Sequence, residues 1–162
     1  VESLSDVHIL KGNLGEPIIT DTNVLISISH HDDMVIACAA KDFRGIGIDI
    51  HKKTKFGDEA DLFLSNKELR ILENKNENFN IAWTAKESYV KYCKHGLELF
   101  EMFEIADVKQ KKYWYEVYFE NIEIVSFVIP YGEFYISLAI NKYEDYKIKS
   151  LIRSLNVNKK LY

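Results

Sequence analysis

Glu87 and Lys91 stand four residues apart in the run Phe79-Asn80-Ile81-Ala82-Trp83-Thr84-Ala85-Lys86-Glu87-Ser88-Tyr89-Val90-Lys91. On a helix of 3.6 residues per turn this spacing stacks a carboxylate and an ammonium in one row with Trp83 and Lys94, while Ile81, Ala85, Ser88, Tyr89 and Tyr92 fall on another side. Alone, such a pair is an ordinary surface contact worth about 0.3–0.5 kcal/mol. A second stretch changes its meaning. In Gly45-Ile46-Gly47-Ile48-Asp49-Ile50, strict alternation predicts a strand with Ile46, Ile48 and Ile50 on one face and Gly47, Asp49 and His51 on the other. Asp49 then projects beside bare backbone, which suits a carboxylate that must sit near a bulky ligand, although strand glycines also mark bulges and tight packing.

The helix that carries Glu87 is rich in good helix formers and is expected to close at Lys94-His95-Gly96-Leu97, with cations in its last turn and Gly96 as its cap. Upstream, Val7–Lys11 reads as a short strand, and a turn at Asn13–Pro17 leads into extended Ile18–Thr20. Val24–Ser29 and Met34–Ala40 pair as a hairpin through His31-Asp32-Asp33. Ser29 and His30 finish its first strand, and His31 points the other way and stays outside the candidate site. After the Asp49 strand come a basic loop, Lys52–Gly57, and a broken helical pair, Asp58–Phe63 and Ser65–Leu72, with Ser65 and Glu68 spaced as a capping box. Lys75–Asn78 is a polar turn. Leu99–Ile105 reads as extended or irregular, followed by an antiparallel meander of Tyr113–Glu120, Ile122–Ile129 and Phe134–Ile140, with a turn at Pro130-Tyr131-Gly132. Its aromatics are expected to cover a core or an edge rather than to stack on bases. Tyr143–Leu155 is a weak terminal helix, and Asn156–Tyr162 is expected to fray.

The chain has 162 residues, 47% hydrophobic and 28% charged, which suits one globular unit with a real core. A formal charge of −4 and a pI near 5.8 argue against a nucleic-acid binder, so an anionic partner has to meet a local patch. Lys52, Lys53 and Lys55 form one candidate patch, and Lys109, Lys111 and Lys112 another. Cys38 and Cys93 lack metal-ligand spacing, and no disulfide is expected. No run is long enough to span a membrane and no leader is recognisable, so a cytoplasmic protein is expected.

These ordered motifs resemble the 4′-phosphopantetheinyl transferase superfamily, whose signatures are a glycine-rich strand bearing an aspartate and a W/F-x-x-K-E-[SA]-x-x-K helix. Here they read Gly-Ile-Asp-Ile at 47–50 and Trp-Thr-Ala-Lys-Glu-Ser-Tyr-Val-Lys at 83–91. Gly15-Glu16-Pro17 and Ile28-Ser29-His30 look like the G-K-P and I-S-H-S motifs of the surfactin-synthetase-type, two-lobe branch, so the likeness covers roughly residues 12–105.

The resemblance implies an α+β, pseudo-twofold fold of antiparallel sheets packed on helices, with coenzyme A in the cleft between two lobes. A short first lobe, residues 1–42, and a fuller second one, residues 43–162, are expected. The first lacks a helix, so either residues before Val1 complete it or it is minimal. A monomer is expected, because two lobes supply both sides of one cleft. The activity implied is Mg²⁺-dependent transfer of phosphopantetheine from coenzyme A to a serine of an acyl or peptidyl carrier protein, releasing 3′,5′-ADP. Asp49 and Glu87 would hold the metal, completed by water and phosphate oxygens. Lys91 and Lys86 would contact the phosphates, and Ser29 with His30 would take the 3′-phosphate of the coenzyme. The base is either Glu87 or a water held by the metal. Two positions depart from the branch. His51 stands where a second carboxylate is usual, a poor ligand for Mg²⁺ and a better one for softer metals, and Glu16 stands where lysine is usual. A member that binds coenzyme A or a carrier protein with weakened or no catalysis is the alternative.

Overall fold

Short turns between apolar runs make antiparallel neighbours the economical arrangement, and the computed structural model has no other kind of strand pair among the residues it describes, 8–20, 22–55, 62–74, 79–95 and 103–150. Two hairpins come first: β1 (Ile9–Lys11) with β2 (Pro17–Ile19), and β3 (Leu25–His31) with β4 (Met34–Ala40). Then follow β5 (Ile46–Lys52), α1 (Asn66–Asn74), α2 (Phe79–Cys93) and a meander of β6 (Ile105–Gln110), β7 (Tyr115–Phe119), β8 (Ile124–Tyr131) and β9 (Phe134–Asn141). β5 pairs with β9, giving one five-stranded sheet in the order β5-β9-β8-β7-β6. A 3₁₀ turn, Lys142–Glu144, leads into helical residues 145–150. The α+β class therefore stands. Among the described residues no helix is long and apolar enough to cross a membrane.

Both faces of the sheet are covered. On one, α2 buries Ile81, Ala85 and Tyr89 against Val117, Phe119, Val128 and Ala139. On the other, Trp114, Val125, Phe127 and Ile140 pack with Ile46 and with Ile148 of the C-terminal helical residues. Residues 124–128 of β8 are accordingly all buried, and the strand reads as a continuous apolar run rather than an alternating one.

Small residues let α2 come close. A Cβ on Gly47 would lie 2.0 Å from the Ser88 carbonyl oxygen and 2.3 Å from the Tyr92 nitrogen, both of them backbone atoms. Beside it, Ser88 Oγ meets Ser137 Oγ at 2.6 Å and Ser126 Oγ at 3.1 Å, which satisfies the hydroxyls in a dry interface. Gly47→Ala should therefore cost about 1–3 kcal/mol, because the helix has to move to admit one methyl group; urea unfolding measures it.

β5 leaves one edge free of β9, and β3 lies along that edge. No ladder joins them. Instead Ser27 Oγ accepts the Ile48 amide at 3.0 Å and Ser29 Oγ the Ile50 amide at 3.4 Å, so hydroxyls spaced two residues apart stand in for strand carbonyls. These bonds carry the first hairpins onto the second half of the molecule.

Three expectations shift. A fourth strand, β6 (Ile105–Gln110), precedes the three expected in the meander, with Lys109 in it, while residues 99–102 of the stretch expected to be extended or irregular lie outside the described residues. Pro130 and Tyr131 belong to β8, paired with Tyr135 and Phe134, and Gly132-Glu133 makes the turn with Gly132 at φ 55°. α2 ends at Cys93, before the expected Gly96 cap. The helix expected from Asp58, the turn Lys75–Asn78, Gly96 and everything after residue 150 lie outside the described residues.

Candidate active site

α2 crosses β5 in the antiparallel sense, and that decides which side chains meet. Gly47 lies under Ser88 and Tyr92, Asp49 meets Lys91, and the His51 ring lies 5.9 Å from that of Trp83. Together with Ile28 to His31 of β3, Asp49, His51, Trp83, Glu87 and Lys91 line a cavity of about 480 Å³.

Asp49 is buried at its wall. Its Oδ1 accepts from Ser29 Oγ at 2.8 Å and from Lys91 Nζ at 2.7 Å, and Lys91 Nζ also donates to Ser29 Oγ at 2.7 Å. Lys91 is thus the counterion of Asp49, and its charge-assisted bonds fix the carboxylate against both β3 and α2. Glu87 lies one turn earlier on α2 and lines the same cavity. Burial, and then the Asp49 charge, push its carboxyl from 4.5 up to about 7, against the opposing pull of Lys91.

Of the expected site residues, Asp49, Glu87, Lys91, Ser29, His30 and His51 border this one cavity. Lys86 does not. It is 2% exposed, with Nζ 2.8 Å from Glu68 Oε1 and 3.0 Å from the Phe63 carbonyl oxygen, so the lysine expected on the phosphate flank joins α2 to α1. Ser29 and His30 differ in burial: the Ser29 hydroxyl is buried and held by Asp49 and Lys91, and His30 is exposed at the rim of the cavity. His31, expected to point away, turns inward, its ring 5.0 Å from that of His51 and 6.3 Å from that of Phe134. The period-2 row Ser27-Ser29-His31 was the signal for it. Burial, and then the His31 charge, lower the His51 pKa, and Asp49 opposes them only in part.

The lysines after Asp49 serve the rim. Lys52 Nζ lies 3.4 Å from Asp32 and 3.8 Å from Glu133, and Lys53 Nζ donates to the Gly132 carbonyl at 2.7 Å, so both tie the end of β5 to neighbouring hairpin turns. Asn80, buried at the start of α2, accepts the Thr54 amide at 3.0 Å and donates to the Thr54 carbonyl at 2.9 Å, holding the loop in place.

The chemistry of the donors fits a hard divalent cation. Two carboxylates from different elements line one cavity, and the burial that chiefly raises Glu87, together with the Asp49 charge, disfavours its ionised form in a way that a cation would relieve. Among the described residues no three His, Cys, Asp or Glu side chains converge as a metal set.

A pH dependence follows. Because Glu87 binds its proton more tightly when folded, its contribution to stability is complete below about pH 4.5 and is lost as the pH rises through about 7. Metal-free protein should lose stability across that window, by a few kcal/mol at most for a shift of this size. Thermal melts from pH 4.5 to 8, with and without Mg²⁺, check this; Mg²⁺ should flatten the fall.

A family model described as the 4′-phosphopantetheinyl transferase superfamily matches residues 45–139, more than half of the chain. The span contains Asp49, Glu87 and Lys91. No curated protein matches the chain.

Proposed function

The chain belongs to the 4′-phosphopantetheinyl transferase superfamily, and from that membership we propose that it moves phosphopantetheine from coenzyme A to a serine of an acyl or peptidyl carrier protein with the help of Mg²⁺. The observation that carries this is the meeting of Asp49, Glu87 and Lys91, from a strand and a helix, at one cavity. In the transfer the serine oxygen bonds to the β-phosphorus of coenzyme A, the bond from that phosphorus to the bridging oxygen breaks, and 3′,5′-ADP departs with the electron pair. Asp49 and Glu87 would hold the metal, which supplies neutralisation of the charge growing on the pyrophosphate oxygens. Lys91 would exchange part of its contact with Asp49 for a phosphate oxygen and steady the leaving group. Glu87 is assigned to the metal first, and to the serine proton only through an oxygen left free.

The two-lobe reading goes with this. Residues 1–42 form a short lobe and 43–162 a fuller one, related by a pseudo-twofold, as in the surfactin-synthetase-type branch; the attachment of β3 to β5 through serine hydroxyls rather than a ladder supports a seam there. A cleft made within one chain makes a monomer sufficient. The test is incubation with coenzyme A, Mg²⁺ and an apo carrier protein, followed by intact mass. A gain of the phosphopantetheine mass is expected, and its absence at high enzyme would count against transfer.

One observation favours a second reading. His51 occupies the place of a further carboxylate and packs against His31 and Trp83 instead of joining Asp49 and Glu87. A member that binds coenzyme A or a carrier protein with weakened catalysis would give calorimetric binding without turnover, and His51→Glu would restore turnover.

A further inference from the structure

A serine hydroxyl has one proton to donate and two lone pairs with which to accept. Ser29 uses all three. Its Oγ donates to Asp49 Oδ1 at 2.8 Å and accepts from Lys91 Nζ at 2.7 Å and from the Ile50 amide at 3.4 Å, and the residue is buried. A phosphate oxygen, itself an acceptor, would need the same proton, so Ser29 can bind an anion only by releasing Asp49. Its expected place on the 3′-phosphate beside His30 conflicts with the bonds it makes.

The grip on Asp49 is one-sided. The bonds from Ser29 and Lys91 both end on Oδ1, and neither ends on Oδ2. Asp49 lines the cavity that Glu87 also lines, so a carboxylate held by one oxygen keeps the other for a cation. Of the two donors, Lys91 is the one with another task, since in the proposed transfer it turns part of its contact toward a phosphate oxygen. Ser29 then holds Asp49 alone. It is fixed on β3, where Ser27 Oγ, two residues earlier, accepts the Ile48 amide at 3.0 Å and sets the register that brings Ser29 to Asp49.

We infer that Ser29 is a positioning residue for the transfer: it holds Asp49 by one oxygen so that the other meets the divalent cation, and it makes no contact with the phosphates of the coenzyme. The inference rests on the transferase reading above. It gives the seam between β3 and β5 a task beyond attachment, because the metal ligand comes from one side and its clamp from the other. Outer partners of this kind orient metal ligands, and removing one costs about 10–100-fold in metal affinity.

Mn²⁺, which takes the same hard oxygen ligands as Mg²⁺ and is paramagnetic, is the probe. The free ion is followed by electron paramagnetic resonance in titrations of the intact protein, with and without coenzyme A. Ser29→Ala should weaken Mn²⁺ binding about 10–100-fold, and Ser29→Thr, which keeps the hydroxyl, should restore most of it. Ser29→Cys keeps the volume but donates weakly, and should weaken the ion as alanine does even where the alanine variant unfolds. Ser27→Ala removes the neighbouring bond between β3 and β5 but not the one to Asp49, and should leave Mn²⁺ affinity unchanged. Calorimetry without metal should give Ser29→Ala and the unaltered protein the same ratio of affinities for coenzyme A and dephospho-coenzyme A. A ratio that falls in Ser29→Ala returns the hydroxyl to the phosphate. An Mn²⁺ affinity that Ser29→Ala leaves unchanged, or that Ser27→Ala lowers equally, reduces Ser29 to an attachment point. Each of these overturns the assignment and leaves the transferase reading standing; no Mn²⁺ binding by the unaltered protein overturns both.

Discussion

Glu87→Gln should lower kcat/KM for carrier-protein modification by on the order of 10²–10⁴-fold, the loss typical when a catalytic proton acceptor or a group aimed at developing charge is removed. The same substitution should stabilise the metal-free protein above pH 7. Burial and Asp49 push the Glu87 carboxyl up to about 7, so at higher pH the folded state holds an ionised group that its surroundings disfavour. Glutamine has nearly the same shape and no charge to desolvate. Below about pH 4.5 the carboxyl is protonated whether the chain is folded or not, and the two proteins should melt together; above pH 7 the variant should melt higher. Opposite signs for stability and activity are the mark of a group kept for chemistry rather than for folding. Melting curves across pH, beside single-turnover assays, provide both readouts. If the residual activity of the variant keeps the acid limb of the pH–rate profile, the serine proton goes elsewhere and Glu87 serves the metal alone.

The parts of this site legible in the sequence are those that depend on local period. Four-residue spacing puts Trp83, Glu87 and Lys91 along one side of a helix, and they are the half-buried row of α2, while Ile81, Ala85 and Tyr89 enter the core. Two-residue alternation places Asp49 beside Gly47 on the face that α2 covers. The Ser65–Glu68 capping box is present in both directions, at 2.8 Å and 3.3 Å.

What escaped depends on contacts distant in sequence or on a break in period. β6 hides because its register shifts between Ile105 and Asp107, so that Ile105 and Val108 are both buried, three residues apart, and no alternation shows. Lys94 takes the capping conformation two residues before the glycine that looked suited to it. His31 follows the two-residue period of β3 and shares a strand face with Ser29, against the expectation that it points away. Lys86 had a local signal too: Ala82, Tyr89 and Val90, its neighbours one turn away, are core residues. Only tertiary structure supplies the Glu68 that makes a lysine tolerable among them.

Lys86→Met should therefore cost about 3–5 kcal/mol of unfolding free energy, the usual penalty for removing one partner of a buried ion pair. Glu68 is 1% exposed and does more than pair with Lys86: its carboxylate also accepts the Ser65 amide at 2.8 Å and the Ile105 amide at 2.8 Å, so it holds α1, α2 and β6 together. Without the ammonium its charge is left in a dry site with only those amides to stabilise it. Adding Glu68→Gln removes that charge and retains an amide oxygen as acceptor, so the double variant should recover much of the loss, and the coupling measured in a double-mutant cycle should be large. Coenzyme A affinity, measured with the single variant under conditions that keep it folded, should stay within about twofold of the unaltered protein, because Lys86 lies outside the cavity that Asp49 and Glu87 line. The opposite pair of results, an unchanged unfolding free energy with a tenfold loss of coenzyme A affinity, would return Lys86 to the phosphate and mean that α1 and α2 are held together by something else.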